Sequence, residues 1–145
     1  MGSDGPPGRT SATEAVRAVA DALAAEPSVV AAYIFGSLAR GAATPLSDID
    51  VGLLLADRSA AVDVRGRVTD ALCRRLHTGQ VDVISLTDAP MPLRYRVVRD
   101  GLLVMCRDGK VLERFVTETV LQYLDFKPLR DRAFRVMRDD ILENA

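Results

Sequence analysis

The stretch from Val29 to Phe35, Val-Val-Ala-Ala-Tyr-Ile-Phe, is apolar on both of its alternating faces and ends at Gly36. Successive side chains of a strand point to opposite sides of a sheet, so a run with no polar face predicts a strand covered on both sides. That reading calls for helices on both faces of a sheet, an α/β (α+β) arrangement. Ile49 to Leu55 has the same character, with Asp50 as its charged exception. A carboxylate inside an apolar run needs a physical reason.

Helical patterns flank these runs. Ser11-Ala12-Thr13-Glu14 fits a capping box, and Val16, Val19, Ala20 and Leu23 then repeat at helical spacing until Glu26-Pro27. Leu38 to Ala43 suits a helical turn, which Thr44-Pro45 would break. Ser59 to Leu76 predicts a second helix with Val64, Val68, Leu72 and Leu76 on one stripe, closed by His77-Thr78-Gly79. Gln80 to Leu86 alternates as a third strand and carries another unexpected acid, Asp82. Asp88 to Asp100 predicts a short helix started by Pro90 and stopped at Gly101, and Leu102 to Cys106 a fourth strand.

After the turn at Asp108-Gly109, Leu112, Phe115, Val116, Thr119, Tyr123 and Leu124 form one helical stripe. Pro128 predicts a break before a last helix, Leu129 to Leu142, striped by Phe134, Met137 and Ile141. Its Arg130, Arg132, Arg135 and Arg138 alternate with acids, as on a solvated face or a partner surface. Residues 1–10, rich in Gly and Pro, are expected to be a disordered tail ahead of a single domain over 11–145.

Nineteen Lys plus Arg against twenty Asp plus Glu leave a formal charge of -1, without the global basic field that recruits DNA or RNA. Cys73, Cys106 and the lone His77 cannot assemble a tetrahedral zinc site. Both cysteines are expected to be reduced core thiols, and, with no secretory segment and no apolar run of membrane-spanning length, the protein to be cytoplasmic.

Phe35-Gly36-Ser37 stands where a buried strand gives way to a turn, so the Gly36 backbone and the Ser37 hydroxyl can meet a phosphate oxygen. A Gly-Ser pair after a strand also serves as an ordinary turn. Asp48 and Asp50 follow at strand spacing and share one side of the sheet, where two ionised carboxylates repel unless a hard cation such as magnesium neutralises them. The competing reading makes Asp48 a turn cap and leaves Asp50 partly solvated. Asp82 favours the first reading, because a parallel neighbouring strand would bring it beside Asp50. Three acids facing a Gly-Ser turn are what two metal ions need to clamp the attacking and leaving oxygens of an in-line phosphoryl or nucleotidyl transfer.

Gly36-Ser37, then Asp48-x-Asp50, then Asp82 resembles the signature of the polymerase-beta-like nucleotidyltransferases. Gly-Ser-Leu-Ala-Arg-Gly from Gly36, Ser47-Asp48-Ile49-Asp50-Val51, Val81-Asp82-Val83-Ile84 and the Leu86 to Gly101 segment are similar to the minimal members of MntA type, antitoxin partners of HepT-type HEPN toxins. The resemblance implies a small mixed sheet flanked by helices with a helical C-terminus. It also implies ATP as substrate with two magnesium ions, and transfer of AMP to a tyrosine of a HEPN-family ribonuclease toxin. By motif, Gly36 and Ser37 would hold the triphosphate, Asp48 and Asp50 would ligate both metals, and Asp82 would ligate the catalytic metal and help deprotonate the acceptor. Arg40, three residues beyond the Gly-Ser turn, could donate to the phosphates or could be a surface arginine. Two alternatives share these residues: an antitoxin that neutralises by binding alone, and a small-molecule nucleotidyltransferase of aminoglycoside-modifying kind.

Overall fold

In a computed structural model, which describes residues 11–41 and 48–143, the order of elements is α1 (Ala12–Leu23), β1 (Val29–Phe35), β2 (Ile49–Leu55), α2 (Ala61–Leu76), β3 (Val81–Ser85), α3 (Met91–Asp100), β4 (Leu102–Cys106) and α4 (Gly109–Glu143). The expected tail over 1–10 and the break at Thr44-Pro45 lie outside the described residues. The four strands form one mixed sheet in the order β3-β2-β1-β4. β1 pairs antiparallel with β2 and β4, whereas β2 and β3 run parallel, joined by the crossover through α2.

Both central strands are covered on two sides, as their lack of a polar face requires. Ile34, Ile49, Val51, Leu53 and Val83 face α1 and α2, where they meet Val19, Leu23, Val64, Val68 and Leu72. The alternate residues face the other layer: Ala31 and Leu54 meet Val111, Leu112 and Phe115 of α4, and Tyr33 meets Leu86 and Val97. The Ser11 hydroxyl accepts from the Glu14 N–H and starts α1 as the capping box predicts. His77 closes α2 in the left-handed conformation, φ 51°. The predicted Ser59 start divides into a 3-10 turn, Arg58–Ala60, and the helix proper.

Two arginines fasten these layers. The Arg107 guanidinium, just past β4, donates to the carbonyls of Leu23, Glu26 and Val29, at 2.7, 2.6 and 2.8 Å, so it caps the end of α1 and the entry to β1 together. Arg67 of α2 grips the buried Glu26 with two bonds, at 2.6 and 3.0 Å. That hydrogen bonding, against the opposing effect of burial, holds the Glu26 carboxyl below the ordinary glutamate range.

Two expectations are corrected. α4 does not break at Pro128 but runs through it as one helix. The ring removes one N–H and crowds the Leu124 carbonyl, and on an exposed helix that carbonyl can turn to water. Nor are both cysteines core thiols: Cys73 is half-buried, and Cys106 is exposed because β4 is an edge strand. No helix among the described residues is long and apolar enough to cross a membrane.

Arg107→Ala should cost about 2–3 kcal/mol in urea unfolding, since it strips several carbonyls of a charged donor at once. Because Glu26 is held below its unfolded value, its contribution is complete above the ordinary glutamate range and fades as pH falls through the lowered value. Thermal melts of Glu26→Gln should therefore lie well below wild type at neutral pH and converge on it in acid.

Candidate active site

The parallel pairing of β2 with β3 decides where the acids stand. The Ile49 N–H donates to the Gln80 carbonyl at 2.8 Å, and the register that follows sets Asp50 beside Asp82. Across the antiparallel pair on the other side of β2, Asp50 is the partner of Phe35, one residue before Gly36. Asp48 is exposed and immediately precedes β2. All three acids and the glycine turn thus lie at one end of the sheet.

Gly36 has φ +77°, a left-handed conformation, and a Cβ built on it would overlap the Asp50 carboxylate. Only a glycine lets the turn after β1 lie against that acid. The turn closes with the Arg40 N–H on the Gly36 carbonyl, 3.3 Å. Gly52, two residues beyond Asp50 on the same face, does similar work: its missing Cβ would stand 2.7 Å from Leu86 Cδ2, and Leu86 is fully buried over it.

Asp50 is half-buried, and its carboxyl is pushed above the ordinary aspartate range, first by burial and then by the charges of Asp82 and Asp48. Arg40 opposes that rise. This is the electrostatic signature of a site short of positive charge. The donors are hard carboxylate oxygens, and their mutual repulsion is what a divalent cation would relieve, so the residues fit magnesium by chemistry. Among the described residues, however, no three acids close into a ready-made metal cluster.

A cleft of about 240 Å³ opens beside Asp50, walled by Gly36, Phe35 and Arg40 on the sheet side and by α3 on the other. Of the residues singled out in the sequence, it brings together Gly36, Arg40 and Asp50, whereas Ser37, Asp48 and Asp82 stand outside its lining. α3 contributes Leu93, Arg96, Val97 and Asp100, residues that the sequence analysis placed on a short helix without assigning them to the site. Their spacing, i, i+3, i+4 and i+7, marks one helical face, but the sequence does not say that this face meets the site. Arg99 holds Asp100 with two bonds, at 2.9 and 2.7 Å, and keeps its carboxyl below the ordinary range. Arg96 and Arg40 are then cations beside the cleft.

Residues 18–110, more than half of the chain, match the family model described as Polymerase beta, Nucleotidyltransferase. The chain belongs to the polymerase beta nucleotidyltransferases. Toxin-antitoxin structures are among the solved structures it resembles. A chain from a crystal structure of a toxin-antitoxin with AMP-PNP superposes with TM-score 0.68 at 23% identity, over 88% of this nucleotidyltransferase and 98% of that chain. A chain from the complex of a tri-AMPylated Shewanella oneidensis HEPN toxin with its MNT antitoxin gives TM-score 0.67 at 22% identity, over 87% and 98%. One from a toxin-antitoxin MntA-HepT complex gives 0.62 at 22%, over 86% and 97%. At these identities the likeness establishes the fold. Among curated proteins, none matches the sequence.

Gly36→Ala should destabilise this nucleotidyltransferase by about 2 kcal/mol, through left-handed strain and displacement of Asp50. Thermal melting would measure the loss, and titration with a fluorescent ATP analogue should show weakened binding beyond it.

Proposed function

We propose that this nucleotidyltransferase is an antitoxin that transfers AMP from ATP to a tyrosine hydroxyl of a HEPN-family toxin. The observation that carries the reading is the β2–β3 register, which sets Asp50 beside Asp82 next to a turn only glycine can make. Support for the partner comes from the solved complexes that share the fold, one with AMP-PNP and one with a tri-AMPylated HEPN toxin.

In this reading Gly36 and Ser37 take the triphosphate against the turn, and Arg40 and Arg96 donate to its oxygens. Asp48, Asp50 and Asp82 would hold magnesium, which supplies positive charge to the phosphates during displacement. Asp82, exposed on the edge strand, accepts the proton of the incoming hydroxyl. The hydroxyl oxygen bonds to the α-phosphorus as the bond from that phosphorus to the bridging oxygen breaks. Pyrophosphate leaves with the electron pair, and the acceptor keeps the AMP. Phe35, Leu93 and Val97 line the cleft with apolar surface beside the carboxylates.

Incubation with the neighbour-encoded HEPN protein, magnesium and labelled ATP should place label on that protein, detected as added AMP in its mass spectrum. An unlabelled but folded partner would sink the reading. Asp82→Asn should fold normally and slow transfer at least ~100-fold. If Asp48→Ala with Asp50→Ala left neutralisation of the toxin intact, neutralisation would proceed by binding alone.

A further inference from the structure

The face of α4 that meets the sheet through Leu112 and Phe115 and buries Thr119 continues along the same side of the helix after the sheet has ended. There it carries Phe134, Met137 and Ile141, which are 61%, 58% and 65% exposed. With Arg130 they fall at i, i+4, i+7 and i+11, the spacing of a helix-pairing seam. Asp131 and Arg138, one heptad apart, border that seam on the same side. Within one copy Asp131 meets Arg130 at 4.0 Å and Arg138 meets Asp139 at 3.9 Å, contacts at the limit of ion pairing.

We infer that this arm is a self-association surface on which two copies of the chain pair their α4 helices antiparallel. The charges select both occupant and direction. When Phe134 of one copy interlocks with Met137 of the second, Asp131 comes opposite Arg138 of the second copy, and the two-fold axis repeats the pair. Ile141 then covers the stem of Arg130 of the second copy, whose head group already lies over the Tyr123 ring, 5.7 Å from its centroid. A parallel pair would instead set Asp131 beside Phe126 and Arg138 beside Ala133, with no charge matched. The seam is thus complementary to itself in one orientation.

Light scattering of the full-length protein across a concentration series should report a dimer that dissociates on dilution. Phe134→Asp with Met137→Asp should give a monomer whose circular dichroism is unchanged, since both side chains lie on the exposed arm. Asp131→Arg and Arg138→Asp should each raise the dissociation constant roughly tenfold, because each sets like charges face to face twice. The two together should restore the dimer. A monomer at every concentration, as expected if the arm is covered only by a helix of another protein, would overturn the proposal. So would a dimer indifferent to the seam substitutions, or a charge swap that fails to restore pairing.

Discussion

A sheet covered on both faces has little room for charge, and the place where this one admits it is the end at which β1 stops and β2 begins. Asp50 stands there with an acid on the neighbouring parallel strand and a glycine turn on the antiparallel side. Burial and the charges of Asp82 and Asp48 raise the cost of its ionised form, and Arg40 lowers it. The rest of the molecule holds that arrangement fixed. α2 carries the chain over to the parallel β3, and Arg65 of α2 donates to the Val83 carbonyl at 2.9 Å, one residue past Asp82. Arg107 and Arg67 secure the far end of β1, from which the glycine turn inherits its direction.

What was legible in the sequence was whatever the local pattern determines alone. The seven apolar residues of β1 could satisfy no exposed face, so the two-sided burial followed. Asp82 in an apolar strand announced both itself and its partner, because a parallel neighbour was the arrangement that made sense of two acids. The capping box at Ser11 and the stop at Gly101 are short-range chemistry, and both stand where they were expected.

The wall of the cleft was not legible, for a physical reason. Leu93, Arg96, Val97 and Asp100 mix charge and apolarity, and only the docking of α3 on Tyr33 and Leu86 tells which side of that helix faces Asp50. Gly52 likewise has meaning only once Leu86 lies on it. Cys106 reads as core in an apolar pentapeptide until β4 is known to be an edge. Pro128 misled in the other direction: its ring removes one N–H and crowds the Leu124 carbonyl wherever it stands, but here the helix on either side is long enough to continue through that one lost bond.

Pro128 has one more effect on α4. The turn around it lacks a rung of the hydrogen-bond ladder, so the rod has a soft joint between the half anchored on the sheet and the half that extends beyond it. Were the outer half to hold a partner, that joint would let the partner turn as on a tether, while the sheet under the first half of α4 keeps the carboxylates at their spacing.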